Sequence, residues 1–112
     1  MKGEGNTTNQ KGLKKMFSHY LHEVITTPKG NIVLVDVANT PDCGWEGAYS
    51  FFNEEKFREA LHDWFKDDEY TFEDICEYGE EADAFDCWEV VSSHHRRPET
   101  AERYLMKAIK SM

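Results

Sequence analysis

The sequence predicts one α+β domain: a small, mainly antiparallel three-stranded sheet with about four helices, in the order α-β-β-α-α-β-α. Three observations carry this reading. Apolar residues recur at three- and four-residue steps near both ends of the chain, as on one helix face. Between them lies a β-branched apolar run of strand length, Asn31 to Ala38. The chain has 112 residues, 39% apolar and 13% aromatic, which suits one packed core and excludes a disordered polypeptide.

Residues 1–11 are polar and contain glycine, so they read as a flexible tail ahead of a domain spanning 12–112. Leu13, Met16, Phe17, Tyr20, Leu21, Val24 and Ile25 follow the spacing of an amphipathic helix, and Pro28 and Gly30 would end it. Asn31 to Ala38 (NIVLVDVA) is the first strand. Val33, Val35 and Val37 point one way and Ile32 and Leu34 the other, so both faces need cover. The stretch NTPDCGWEG reads as a loop, and Ala48 to Phe52 as a second strand.

Asn53 is a natural N-cap, with Phe52 and Phe57 at hydrophobic-staple positions. Phe57, Ala60, Leu61, Trp64 and Phe65 mark the buried face of the helix that follows. Thr71 starts a short helix, with Asp74 completing an acidic capping box, Tyr70 and Ile75 as its staple, and Gly79 as its stop. Phe85 to Ser92 reads as the third strand. Pro98 suits the first position of a last helix bearing Ala101, Tyr104, Leu105, Ala108, Ile109 and Met112 on one face.

Charge is distributed unevenly. The formal net charge is −9, yet residues 1–30 carry five Lys and two Glu, and residues 94–112 carry five basic and two acidic residues. The middle, residues 31–93, carries three basic and 18 acidic residues. Within 67–89 there are 11 acids and no Lys or Arg, interleaved with Tyr70, Phe72, Tyr78, Phe85 and Trp88. Such a run serves in most proteins as a solvated face, but like charge at this density also repels itself. A basic partner would relieve that repulsion. The expected docking residues are Asp67, Asp68, Glu69, Glu73, Asp74, Glu77, Glu80, Glu81, Asp83 and Asp86, with Trp45 and Trp88 as aromatic anchors. Trp45 could instead lie over the core, the commoner fate of tryptophan.

These features point to a non-enzymatic inhibitor or adaptor whose acidic segment occupies a basic, nucleic-acid-binding surface of another protein. DNA mimicry is the sharpest form of that expectation. Direct nucleic-acid binding is disfavoured by the net charge and by the lack of a recognisable motif. A homo-oligomer joining basic ends to acidic middles is a further alternative. In composition alone, an acidic, aromatic-rich chain without motifs resembles the small proteins that phages direct against host defence or transcription. This resemblance implies action by binding and assigns no role to any residue.

No catalytic residue, metal or cofactor is assigned from the sequence. His19 and His22 stand three apart, but the zinc helix pattern H-E-x-x-H is absent, and on a helix both would be exposed opposite the apolar stripe. The run His94, His95, Arg96, Arg97 could grip an anion but reads more simply as a polar connection. Cys43, Cys76 and Cys87 match no zinc spacing. Cys76 and Cys87 are expected in or near the core, and Cys43 in a loop. The enzymatic alternative is a divalent-metal phosphoesterase or nuclease using Asp36, a carboxylate inside an apolar strand, with Mg²⁺ held by Glu46, Asp86 or Glu89. No apolar run approaches the roughly 20 residues of a membrane span, the opening residues lack a signal-peptide core, and an odd set of thiols suits a reducing compartment. A cytoplasmic location is expected, with no membrane partner.

Overall fold

The computed structural model describes residues 18–62 and 69–112. It is an α+β fold around one four-stranded antiparallel sheet. The strands are β1 (Ser18–Thr26), β2 (Ile32–Thr40), β3 (Gly44–Phe51) and β4 (Glu89–His95), adjacent in chain order. Between β3 and β4 come α1 (Glu54–Ala60) and α2 (Phe72–Asp74), the latter running into a π-helical turn, Ile75–Gly79. Helix α3 (Pro98–Lys110) follows β4.

The sheet therefore has four strands where three were expected, and three helices accompany it among the described residues. The additional strand is β1, in place of the first predicted helix. The four-residue step from Leu21 to Ile25 fits a helix turn and also two strand periods, so periodicity alone did not separate them. Val24, Ile25, Thr26 and Thr27 are all β-branched, which favours a strand. Pairing with β1 also covers the edge of β2, which would otherwise expose unpaired backbone groups. Leu13, Met16, Phe17 and the expected tail 1–11 lie outside the described residues.

Two strand boundaries also move. The loop expected over Asn39–Gly47 shrinks to Pro41–Cys43, because Asn39 pairs with Trp45 and Thr40 with Gly44. Gly44 makes this tight connection possible. Its φ is +61°, and a β-carbon there would lie 3.0 Å from the His95 carbonyl oxygen. The last strand begins at Glu89 instead of Phe85. Phe85 forms only an isolated bridge with Phe52, since its side chain turns into the core beside Leu34 and Ile75.

The two faces of β2 are covered differently. Ala101, Leu105 and Ile109, one stripe of α3, pack on Val33, Val35 and Val37, with Leu21 and Ile25 beside them. On the other face Leu34 meets Ile75 and Phe85, with Phe52 and Tyr70 around them. Phe57 is fully buried, its ring 5.3 Å from that of Phe52 and 5.0 Å from that of Tyr70. Burying each such side chain contributes about 1.5–3 kcal/mol.

The expected caps form. Asn53 Oδ1 accepts the Lys56 N–H at 2.9 Å. The Thr71 hydroxyl accepts the Asp74 N–H at 3.1 Å, and Asp74 Oδ2 accepts the Thr71 N–H at 2.8 Å. Trp64 and Phe65, expected on the α1 face, lie outside the described residues. Cys76 and Cys87 are exposed, not in the core. The inward positions of the π turn belong to its neighbours Ile75 and Gly79, and Cys87 sits in the link entering β4.

Candidate functional site

The excursion between β3 and β4 covers only half of its sheet face. The other half, from Asp36 towards Thr40, carries no helix among the described residues. An open recess of about 430 Å³ lies there. Asp36, Ala38, Ala48 and Val90 belong to it by strand register, and Trp88 walls it, with its side chain 46% exposed. Thr40 and Glu46 also line it.

His19 and His22 complete this recess because β1 is irregular. In a regular strand, residues three apart face opposite ways. Here the register slips between His19 and Leu21: His19 pairs with Ala38, Leu21 with Val37, and His22 with Asp36. The bulge at Tyr20 turns both imidazoles to the same side, as β-bulges do when they re-aim a side chain. Leu21 and Ile25 still reach the α3 core.

Both imidazoles converge on one carboxylate oxygen. Asp36 Oδ1 lies 2.8 Å from His19 Nδ1 and 3.0 Å from His22 Nδ1. An ionised carboxylate only accepts, so both Nδ1–H groups donate. This answers the question raised by a carboxylate inside an apolar strand. Asp36 is mostly buried and its charge is partnered. The rings of His19 and His22 meet edge to face, with centroids 5.3 Å apart. On its far side His22 Nε2 meets Glu80 Oε2, carried in by the residue after the π turn. Partial burial alone would lower the His22 pKa. The Asp36 hydrogen bond and the charges of Glu80 and Asp36 outweigh it and hold the pKa above its usual value.

Of the other carboxylates weighed with Asp36 as metal ligands, Asp86 and Glu89 lie elsewhere. Glu46 shares the recess. Asp86 accepts from Lys56 Nζ at 3.0 Å and from Asn53 Nδ2 at 3.2 Å. Glu89 pairs with Tyr49, which places it by register on the α3 side of the sheet.

The predicted docking residues are likewise divided. Asp67 and Asp68 lie outside the described residues. Asp74 caps α2, Asp86 pairs with Lys56, and Glu80 meets His22. Glu69, Glu73, Glu77, Glu81 and Asp83 are exposed in the excursion. Glu73 and Glu77 flank a shallow hollow with Phe72 and Cys76, and Phe72 is 43% exposed. Trp45 is half-buried on the opposite face, packed against the α3 core and edge to face with Tyr20 at 6.3 Å. Trp88 faces the recess. The acidic layer and α3, with its Arg103, Lys107 and Lys110, thus lie on opposite faces of the sheet.

The HHRR run is partly tied into the fold. The His94 N–H donates to the Cys43 carbonyl at 2.5 Å, and His95 stacks on Tyr104 with centroids 5.3 Å apart. Arg96 and Arg97 are exposed where α3 begins.

Sequence reasoning named His19, His22 and Asp36 separately and did not join them. A strand reading of the β-branched run Val24 to Thr27 would have placed the histidines beside β2. The bulge that aligns them leaves no mark in the residue pattern. Comparison of the chain with protein-family models, with curated proteins and with solved structures gives no match.

Proposed function

We propose that this protein is a non-enzymatic binding module, an inhibitor or adaptor that docks its acidic excursion onto a basic, nucleic-acid-binding surface of a partner protein. The observation that carries the reading is Phe72. The fold leaves this aromatic residue 43% exposed in a shallow hollow shared with Glu73 and Glu77, while its neighbour Ile75 is buried. An exposed aromatic ringed by carboxylates matches a partner that offers lysines or arginines around an apolar recess. The absence of Lys and Arg from 67–89 supports the same reading, because of the acids in that stretch Asp86 alone is described with a lysine partner, Lys56, which comes from α1. Carboxylates on such a layer can take the place of phosphates in a nucleic-acid groove, and this is the acidic-decoy form of the proposal.

The test is capture of nucleic-acid-binding proteins on the immobilised full chain, eluted either by salt or by competing duplex DNA. The expected result is a captured partner released by both treatments and lost with the triple variant Glu73→Gln, Glu77→Gln, Glu81→Gln. Charge-driven docking weakens as the Debye length shortens from about 10 Å at 0.1 M salt to about 3 Å at 1 M. A partner held equally by the wild-type chain and the variant, or one insensitive to salt, overturns the proposal.

A further inference from the structure

The recess beside β1 is distinct from the Phe72 hollow, although Trp88 and Glu80 of the excursion border it. We infer that His19, His22 and Asp36 form a binding site for a divalent transition-metal ion of the zinc class, with coordination positions left open towards the recess.

Four observations carry this. First, the ligand atoms already converge. One ligand atom from each of the three residues lies within 4.8 Å of the others. Around an ion with bonds of about 2.0–2.2 Å, tetrahedral ligand atoms stand about 3.3 Å apart. The Nδ1–Oδ1 separations of 2.8 and 3.0 Å therefore need to open by only a few tenths of an ångström. The ion would take the place of the two Nδ1 protons that Asp36 accepts in the metal-free protein.

Second, the outer partner of a metal-bound histidine is present. Such a histidine usually donates its other N–H to a carboxylate, which fixes the ring and its tautomer. His22 offers Nδ1 to the site while its Nε2 meets Glu80. With the ion on Nδ1, the tautomer protonated on Nε2 satisfies both contacts, whereas in the metal-free ring both nitrogens donate, to Asp36 and to Glu80.

Third, the backbone is arranged for this convergence. Only the bulge between His19 and Leu21 brings two histidines three apart onto one face, and it directs both onto the single acidic residue of β2. An Asp in the middle of an otherwise apolar strand then has a purpose beyond solubility.

Fourth, the ligand set selects the ion and leaves it open. Two imidazoles and one carboxylate suit Zn²⁺, Fe²⁺, Co²⁺ or Ni²⁺, whereas Mg²⁺ prefers an all-oxygen shell. The sequence assigned no metal, and the Mg²⁺ of its enzymatic alternative is not the ion this ligand set selects. Three protein ligands are the number found where a water or a further ligand completes the shell. The recess beside the three is apolar at Ala38, Ala48, Val90 and Trp88, so the added ligand would be a small donor with an apolar body.

The experiment titrates the reduced full chain, freed of metal by a chelator, with Co²⁺ followed by visible absorption and with Zn²⁺ followed by calorimetry. The expected result is one ion per chain, with cobalt d–d bands and no thiolate-to-cobalt charge-transfer band. Asp36→Asn and His19→Ala should each weaken binding about tenfold or more, and Glu80→Gln should weaken it about 10–100-fold. Excess Mg²⁺ should not compete, and added azide should shift the cobalt spectrum. His19 and His22 are substantially exposed, at 50% and 37%, so the variants should keep the wild-type circular dichroism, which is recorded for each. Lack of stoichiometric binding overturns the site, as does affinity unchanged in both Asp36→Asn and His19→Ala. A thiolate band abolished by replacing Cys43, Cys76 and Cys87 with Ser also overturns it. A cobalt spectrum unmoved by azide overturns the open coordination.

Discussion

The carbonyl oxygen of Ala101 stands 3.0 Å from the point where a β-carbon on Gly47 would be, so α3 rests directly on the backbone of β3. The Leu105 β-carbon is nearly as close, at 3.2 Å. A glycine inside a strand often marks such a close approach. Gly47→Ala would push the helix off the sheet and is expected to destabilise the fold by about 1–3 kcal/mol, read from the denaturant midpoint. An unchanged midpoint would mean that α3 shifts without cost.

Leu105 and Phe57 anchor the two opposite layers, and both are fully buried. Leu105→Ala is expected to cost about 2–5 kcal/mol and Phe57→Ala about 3–5 kcal/mol. The two sites share no packing cluster, so the double variant should lose close to the sum of the single effects. Equilibrium unfolding of the three variants decides this.

The caps offer a milder comparison. Asn53→Ala removes the acceptor for the Lys56 N–H and is expected to cost about 0.5–2 kcal/mol. Asn53 also donates to Asp86, so the loss should fall towards the upper part of that range. Thr71→Ala should cost a similar amount by opening the reciprocal pair with Asp74.

Asp86 supplies the pH dependence. Hydrogen bonds from Lys56 and then Asn53 hold its carboxyl below the usual aspartate value, and Lys56 is correspondingly raised. For a lowered carboxyl pKa, the stabilisation is present above the unfolded-state value and is lost as the pH falls through the folded one. The Asp86 side-chain carbon, followed by NMR titration, should therefore titrate at lower pH than a free aspartate. Lys56→Ala should move that midpoint upwards and remove the corresponding acid-side loss. A midpoint indifferent to Lys56 would show that the pair does not persist in water.

Phe72 separates folding from docking. Its ring is partly exposed, so Phe72→Ala should cost no more than about 1–1.5 kcal/mol, well below Phe57→Ala. If the ring anchors a partner, the same change should weaken binding by about 1–2 kcal/mol or more, roughly 5–30-fold. Thermal unfolding and a binding titration on the same preparation measure both.

Local signals survived into the structure where a few neighbouring residues suffice to set them. Asn53, the Thr71–Asp74 box and Pro98 each mark a helix start that backbone chemistry alone explains. The alternation of Val33, Val35 and Val37 against Leu34 correctly demanded cover on two faces. The step from Leu21 to Ile25 failed as a guide because both periods contain it. The site failed to appear for a related reason. His19 and His22 on a helix are two exposed side chains, and on a regular strand they point apart. Only a bulged strand paired with β2 turns them onto Asp36.

Residue order along the chain thus determined the class of fold, its caps, the two-sided burial of β2 and the concentration of acid between residues 67 and 89. Each is a property of adjacent side chains and their spacing. The tertiary structure alone decided that the segment from Ser18 is a strand, that acids next to one another in sequence serve as cap, ion-pair partner or open surface, and that two histidines share one carboxylate. Those outcomes depend on strand pairing and register between residues 14 to 17 positions apart, and a one-residue slip reverses every side chain in a strand.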